Sequence, residues 1–388
     1  MLIHIPARIK TALLLFVLAM LVFAPITYYH SYNKVASDFD HHIEFALALA
    51  KDGPQGIPTW VLAHSAWQVI LVVVRRVLHS SFELASFWAA LFSVGLTISI
   101  LFFWYQSALS KLNWQDWKIC LLVLGVYLAA PVSLLWHLDH RMYWGYIGMA
   151  SYHNPTMILL KPFAIVQFVF ACQCFRETAS IKNWHIVLVA LLSLFGTFVK
   201  PSLAICLLPA LTIFSIYRIA KHEHLNYKGL IFGLGLPMVA VLAWQFALTY
   251  RAEDAGAVAF LPFVVMGEFS QYLEWKFLLS ILFPLALLVL YFKAIIQDVR
   301  MIVAWLAFLG GLVFTYLFAE SGPRLLHGNF GWSGEITLLL LFAVSTLFFG
   351  EISAKPTRST RFLAVVWSLH VAWGILYYLY NIFYKTYS

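Results

Sequence analysis

The sequence predicts an all-α, polytopic membrane protein. Of its 388 residues, 62% are hydrophobic and only 11% are charged, whereas soluble domains carry about 25% charged residues. Long apolar runs follow one another along the chain, which excludes a disordered protein. The net charge is +8, but the basic residues are scattered singly between the apolar runs and form no stripe of the kind that binds nucleic acid. We therefore expect them to lie at membrane boundaries, and we expect no nucleic-acid partner.

About eleven apolar runs are long enough to cross a bilayer, which needs about 20 helical residues. No soluble domain is inserted between them, so we expect residues 1–388 to form a single transmembrane domain. The first run follows Arg8 and Lys10 and lacks a small-residue cleavage site, so it is interpreted as a retained helix and not as a signal peptide. The predicted spans lie at 11–29, 83–106, 118–136, 154–173, 184–199, 202–218, 229–249, 277–293, 300–318, 334–350 and 361–383.

Segment 59–80 decides the predicted topology. It is long enough to span the membrane, but it carries polar residues that include His64, Gln68, Arg75 and Arg76. If it lies flat on the surface, the N-terminus is cytosolic, the C-terminus is outside, and the cytosolic loops hold most of the lysines and arginines. If it crosses, one end of the topology inverts and the basic N-terminus moves outside. The positive-inside rule favours the flat arrangement, with most carboxylates and histidines in outer loops.

The first outer loop, 30–82, contains an acidic motif and predicted interfacial helices. Asp38 and Asp40 precede two histidines and a stretch with apolar residues at helical spacing, which is typical of a helix lying on a membrane. Asp38 follows Ser37 at the helix start, so it is either a partner of the helix N-terminus or a chemically active group. Carboxylates at a lipid–water boundary act as general bases with a raised pKa, or as ligands of a divalent cation such as Mg or Mn.

The second outer loop ends with His153 and Asn154 directly before Pro155. Proline at the first helical position makes Asn154 a natural N-cap, and the same free N–H groups of a helix N-terminus attract a phosphate. His153, Arg141 and Lys161 would add positive charge at such a site. For Lys161, which lies within the predicted span, a snorkelling side chain is the alternative.

Two later outer segments carry charge. Lys200 and Pro201 form a tight turn between two short spans, where the lysine either snorkels to water or meets an anion. The loop from Arg251 to Lys276 contains several carboxylates, among them Glu253 and Asp254, which we expect to be solvated.

The last outer loop, 319–333, is rich in glycine. Its three glycines and one proline predict a shaped, non-helical path. It displays Arg324, His327, Asn329 and Trp332. Arginine is suited to bidentate phosphate binding and tryptophan to stacking on a sugar face, so we expect this loop to be functional.

The layout resembles that of the GT-C glycosyltransferases, integral membrane enzymes that use a polyprenyl-phosphate sugar at the outer or lumenal face. The resemblance covers roughly residues 11–215. Family members often show Asp-Phe-x-x-Tyr-x-x-Ala-Ala before a Gly and a Pro. The matching stretch here runs from Asp38 to Ala46, with Gly53 and Pro58 after it, His42 in place of the Tyr and Phe45 in place of the first Ala. The turn Val199-Lys200-Pro201-Ser202 also resembles that family's Lys-Pro span pair, whereas the large soluble domain of many relatives is missing.

The resemblance implies an inverting sugar transfer to a glycan or glycolipid acceptor, with a polyprenyl-phosphate-linked sugar as donor and membrane lipids around it. Asp38 would deprotonate the acceptor hydroxyl, with Asp40 as the alternate base or as a second metal ligand. The expected donor-phosphate ligands are Arg324, Lys200, His153 and Arg141. The expected sugar or acceptor ligands are His327, Asn329, Trp332, Trp144 and His42.

Three other functions stay open from the sequence. They are a lipid-linked glycan polymerase or ligase on another fold, a non-enzymatic transporter or flippase, and an assembly subunit that keeps the GT-C shape without catalysis. The single arginine of the last outer loop counts against the first of them. No cofactor is certain, and the four cysteines form neither a disulfide framework nor a metal pair. We expect a bacterial inner membrane protein with its active face towards the periplasm.

Overall fold

The computed structural model describes residues 6–32, 37–177, 181–250, 256–354 and 356–384. Glu253 and Asp254, predicted to be solvated, lie outside the described residues. The described chain is mostly α-helical, and seven of its helices are long and apolar enough to cross a membrane. An eighth crossing results if a bent helix pair is counted as one span. This agrees with the integral membrane protein that the composition predicts, while the number of about eleven crossings stays a prediction.

Helices of the first half of the chain alternate between long apolar elements and short interfacial ones. They are α1 (Ala7–Tyr32), α2 (Asp38–Asp52), α3 (Thr59–Leu62), α4 (Ala66–Leu78), α5 (Phe82–Leu109), α6 (Asp116–Leu128), α7 (Trp136–Asp139) and α8 (Pro155–Gln173), with 3-10 turns at Gly53–Gly56 and Ser110–Leu112.

Helices of the second half include two apolar elements of intermediate length and one helix that begins with π-helical geometry at Gly229–Gly235. They are α9 (Asn183–Val199), α10 (Ala204–Ala220), α11 (Leu236–Thr249), α12 (Val264–Phe269), α13 (Leu273–Ser280), α14 (Leu282–Ile295), α15 (Val299–Leu317), α16 (Gly331–Ile352) and α17 (Arg358–Tyr384). A 3-10 turn spans Gly322–His327, and strands β1 (Val258–Phe260) and β2 (Phe318–Glu320) pair antiparallel with Val258 opposite Glu320.

The stretch predicted as the first outer loop contains two helices, α2 and α4, where the sequence predicts interfacial ones. Helix α4 has only 13 residues, fewer than the roughly 20 that a bilayer core requires. It buries Trp67 and Leu71, while Arg75 and Arg76 are exposed. A short helix with one apolar face is suited to lie on the bilayer surface rather than to cross it.

The predicted span 118–136 is wrong at its C-terminal end, because helix α6 stops at Leu128. Pro131 disfavours helical geometry in the residue before it and has no N–H of its own. His370 of α17 binds the unwound backbone: its Nδ1 lies 2.8 Å from the Ala130 carbonyl oxygen, and its Nε2 accepts from the Phe283 N–H at 3.3 Å. The Ala130 N–H in turn donates to the His370 carbonyl at 3.1 Å. His370, the main ionisable residue within the predicted spans, therefore satisfies non-helical backbone inside the bundle.

The predicted span 277–293 is also interrupted, since α13 and α14 meet at an angle of 66°. Pro284 has no N–H and its ring crowds the carbonyl four residues earlier, which is that of Ser280. The Ser280 hydroxyl donates to the Lys276 carbonyl at 2.7 Å and accepts from the Ile147 N–H at 3.0 Å. The break is thus tied to the chain that follows α7.

The loops predicted to face outward meet at one end of the helix bundle. The Gln245 side chain of α11 donates to the Ala63 carbonyl at 3.0 Å, and Lys276 forms an ion pair with Asp139. At the opposite end, Arg300 pairs with Asp298 at 2.5 Å and with Glu351 at 2.7 Å. The structure therefore gathers the predicted outer loops into one layer, in which β1 and β2 also lie.

We predict that His370→Ala lowers the free energy of unfolding by about 2 kcal/mol, because it leaves the Ala130 carbonyl and the Phe283 N–H unpaired in an apolar bundle. Denaturation in mixed detergent micelles measures this change. The matched control is His137→Ala in the exposed outer loop, which should be neutral. Equal effects of the two substitutions would contradict the structural role of His370.

Candidate active site

Asp38 is the first residue of α2, but it does not cap that helix. The N-cap is Ser37, which makes no side-chain capping bond. The half-buried Asp38 carboxylate instead accepts a short hydrogen bond from the Asn154 side-chain amide. The carboxylate of Asp38 is thus bound by a group from another helix, and its role as a chemically active group stays a prediction.

Asn154 holds Asp38 while it caps α8. Its Oδ1 accepts from the Met157 N–H at 2.8 Å and from the Thr156 hydroxyl at 2.8 Å. Because both of these groups donate, the oxygen must face them and the amide N–H₂ must face Asp38. Pro155 at the first helical position completes the predicted start of α8. The structure therefore confirms Asn154 as the N-cap of α8, while phosphate binding at this helix N-terminus stays a prediction.

Lys200 joins the same network from the turn between α9 and α10. Its Nζ donates to the Thr156 hydroxyl oxygen at 3.1 Å and lies 4.6 Å from the centre of the Trp332 ring. A continuous chain of hydrogen bonds therefore runs from Lys200 through Thr156 and Asn154 to Asp38. Lys200 turns into this cluster and does not extend freely to water.

Burial changes the proton affinity of both ends of this chain. It raises the pKa of Asp38 above its ordinary value, while Lys200, the Asn154 hydrogen bond and the histidines His41 and His327 act in the opposite direction. It also lowers the pKa of Lys200 to about 8, against the attraction of Asp38 and Glu335. The Lys200 ammonium therefore loses its proton more readily than an ordinary lysine, and the Asp38 carboxyl group binds its proton more tightly than an ordinary aspartate.

A second buried network lies behind the first. Glu335, 7% exposed at the start of α16, accepts from the Tyr143 hydroxyl and, at 2.5 Å, from the Ser151 hydroxyl. Lys161 is 2% exposed and donates to the Met149 carbonyl at 2.9 Å, so it turns inward and does not snorkel to water. Sequence reasoning missed Glu335, although a carboxylate inside a predicted span, here 334–350, is itself a signal of a functional or paired group.

Two of the predicted phosphate ligands need correction. His153 is buried and packs edge-on against Tyr143 at 4.9 Å. Its burial, and then the positive charge of neighbouring groups including Lys200, holds its pKa well below the ordinary value, so the ring is neutral and adds no positive charge. Arg141 is exposed, and its backbone N–H donates to Asp139 beside the Lys276 ion pair. That position is outside the network of Asp38 and Lys200.

The glycine-rich loop is not the non-helical path that the sequence predicts, because a 3-10 helix spans Gly322–His327, and its arginine is already paired. Gly322 and Gly328 take positive φ angles of 75° and 64°, on either side of a 3-10 turn. Arg324 forms an ion pair with Glu320 at 3.3 Å, and Asn329 donates to the same carboxylate at 2.5 Å. His327 of this loop is exposed and is one of the groups that act on Asp38.

The remaining predicted residues lie around the network. Asp40 belongs to the same helical turn as Asp38, but two positions along a helix point in different directions, and Asp40 acts on Tyr29. Trp144 stacks on Phe269 with ring centres 4.4 Å apart, so one of its faces is covered. His42 lies 2.8 Å from the Gln68 side-chain nitrogen through its Nδ1.

Metal binding finds little geometric support here. Within the described ranges, no group of three or more His, Cys, Asp or Glu side chains is placed to hold a metal ion. The two carboxylates predicted as alternative Mg or Mn ligands, Asp38 and Asp40, have different partners.

An apolar groove of about 430 Å³ opens between α9 and α11. Its outer end is formed by Phe198 and Trp244, whose rings lie 5.6 Å apart. Phe198 lies in the last turn of α9, two residues before Lys200 in the chain. The other lining residues are Leu191, Leu194, Phe195, Ala240 and Val241.

Comparisons with known proteins give no family. No family model, no curated protein and no solved structure matches this chain. The function must therefore be argued from the geometry of this site and from the resemblance of its motifs.

We predict that Asn154→Asp destabilises the protein by about 1–2 kcal/mol at pH 7.5. The new carboxylate preserves the N-cap, since Asp caps as well as Asn, but it faces the Asp38 carboxylate at close range. Unfolding in mixed micelles, measured for Asn154→Asp in the native chain and in an Asp38→Ala background, isolates the interaction. The loss should largely disappear without Asp38. A loss of equal size in both backgrounds would show that the two side chains are not coupled.

Proposed function

We propose that this protein is an inverting glycosyltransferase that moves a sugar from a polyprenyl-phosphate donor to a glycan or glycolipid acceptor at the membrane surface. The observation that carries the proposal is the arrangement of Asp38 and Lys200 at opposite ends of one hydrogen-bonded chain, beside the end of an apolar groove. A carboxylate base, a cation for a phosphate and a path for a lipid are the three parts that such a reaction requires.

Asp38 is the proposed general base. Its carboxylate removes the proton of the acceptor hydroxyl while the acceptor oxygen attacks the anomeric carbon of the sugar. The raised pKa of Asp38, caused by its burial, makes it a better proton acceptor than a solvated carboxylate. The Asn154 N–H fixes one carboxylate oxygen, which leaves the other free for the acceptor.

Lys200 is the proposed ligand of the leaving phosphate. As the bond between the anomeric carbon and the phosphate oxygen breaks, its electron pair passes to that oxygen and the polyprenyl phosphate gains negative charge. A fixed ammonium next to the developing charge stabilises the transition state. Arg324 supports the same step only after it exchanges Glu320 for the phosphate. Trp332, which lies under the Lys200 ammonium, provides a ring face for the sugar.

The apolar groove between α9 and α11 is the proposed site of the polyprenyl chain. Its lining residues are all hydrophobic and it opens on the side of the bundle, where a membrane lipid enters without crossing water. The chain would place its phosphate at the Phe198–Trp244 end, near Lys200. On this proposal the enzyme belongs to a bacterial inner membrane, with the site facing the periplasm.

We predict that Asp38→Asn abolishes the transfer, with a rate loss of at least about 100-fold because the general base is removed. Mass spectrometry of the cell-surface glycans and glycolipids of the native host, in wild-type, deletion and Asp38→Asn strains, identifies the transferred sugar directly from the product that is lost. The same sugar should be missing from both altered strains. The matched control is Asp40→Asn, which changes the same helical turn and should preserve most of the product.

These strains also test the proposal against its rivals, once the variants are shown to insert in normal amounts. A sugar that disappears only in the deletion strain would exclude Asp38 as the base. Loss of whole glycan chains would indicate a polymerase or flippase. Unchanged glycans in the deletion strain would indicate a transporter unrelated to glycan synthesis.

We predict a bell-shaped dependence of kcat/KM on pH for transfer from a polyprenyl-phosphate sugar in detergent. As the pH falls, Asp38 takes up a proton and loses its function, and its raised pKa places this limb above the range of an ordinary Asp. As the pH rises through about 8, Lys200 loses its charge and donor binding weakens. Lys200→Arg, which stays charged, should abolish the alkaline limb and leave the acidic limb unchanged. An alkaline limb that persists in Lys200→Arg would assign it to another group.

A further inference from the structure

His64 lies between α3 and α4 and is held by a glutamine from a distant helix. The Gln245 side-chain nitrogen of α11 is 2.8 Å from His64 Nδ1, 3.0 Å from the Ala63 carbonyl oxygen and 2.9 Å from that of Thr197. Gln245 is 3% exposed. The amide therefore ties the first outer loop to the outer ends of α9 and α11.

These contacts fix the proton on the His64 ring. Two carbonyl oxygens lie near the Gln245 nitrogen, so this atom is the N–H₂ group and not the amide oxygen. Its two hydrogens are shared among these two oxygens and His64 Nδ1. A proton on His64 Nδ1 would place two donors 2.8 Å apart. Nδ1 is therefore the acceptor, and in a neutral imidazole the remaining proton is on Nε2.

The Nε2–H group of His64 is on the side of the ring that Gln245 does not bind. The ring is only half-buried, and among the described residues no partner hydrogen-bonds Nε2. Lys200 and Arg324, the two proposed phosphate ligands, are the charged groups that act on His64. Trp244, next to Gln245 in the chain, forms the outer end of the apolar groove.

We propose that His64 is an uncharged N–H donor to a phosphate oxygen of the polyprenyl-phosphate substrate, and that Gln245 is the residue that positions it. The inference rests on the proposed function and adds a ligand from the first outer loop that the sequence did not indicate. Burial, followed by the charges of Lys200 and Arg324, lowers the pKa of His64 to about 3, so the ring stays neutral when the site is empty. A neutral donor adds a hydrogen bond to the phosphate without repelling the two cations.

The experiment measures binding of farnesyl phosphate and of farnesol to the full-length protein in detergent. The two probes share one lipid chain and differ only in the phosphate. His64→Gln carries its amide N–H₂ to the position of Nε2, whereas His64→Asn reaches only the position of Nδ1. Asn thus preserves the contact with Gln245 and lacks the donor, so it separates phosphate binding from folding. His64→Phe removes both nitrogens.

We predict that His64→Asn and His64→Phe weaken the binding of farnesyl phosphate about 10- to 100-fold, the range for a hydrogen bond to a charged group. Farnesol should bind equally well to every variant, and His64→Gln should stay within about threefold of the wild type. Gln245→Met, which leaves the ring in place but frees its tautomer, should show a smaller loss for farnesyl phosphate alone.

One result would contradict the role of His64 alone, and another would contradict the proposed function as well. If Lys200→Met loses farnesyl phosphate while His64→Asn binds it as the wild type does, His64 is not a phosphate ligand and the proposed function stands. If the wild-type protein binds farnesyl phosphate and farnesol equally well, the lipid-phosphate site itself is wrong, and the proposed function fails with it.

Discussion

The hydrogen bond between the Asn154 amide and the Asp38 carboxylate is the contact on which the outer layer depends. Asn154 caps a buried helix, so its oxygen is already committed to the start of α8. Only its N–H₂ group remains, and this group determines where the first turn of α2 must lie. Thr156 extends the contact to Lys200. Three separate parts of the chain, α2, α8 and the turn after α9, are thereby held at one point.

Burial explains why this cluster contains so few free charges. A charged group enclosed by protein and lipid must be paired or become neutral. Lys276 pairs with Asp139, and Arg324 pairs with Glu320. Two histidines of the layer, His64 and His153, are neutral because burial lowers their pKa values. Positive charge is therefore concentrated on the few groups that a phosphate would meet.

The apolar runs predict the long helices well, because a segment that crosses a bilayer needs about 20 apolar residues in a row. They do not predict the breaks. Leu128 ends α6 where His370, far away in sequence, satisfies the open backbone, and hydropathy carries no information about such a partner. Asp38 and Lys200 were found from local motifs at helix ends. Glu335 was missed because its partners are 184 and 192 residues away in the chain. Arg141 was included because it is near His153 in sequence, but its backbone N–H binds Asp139 instead.

The same network gives the proposed reaction an order. Without a donor, the positive charge of Lys200 stabilises the ionised form of Asp38 and so lowers the pKa of that carboxyl group against the effect of burial. A phosphate anion next to Lys200 would offset this charge, so the pKa of Asp38 would rise once the donor is in place. A base of higher pKa removes the proton of a hydroxyl more effectively. Binding of the donor would thus strengthen the base, which acts only when there is an anomeric carbon for the acceptor to attack.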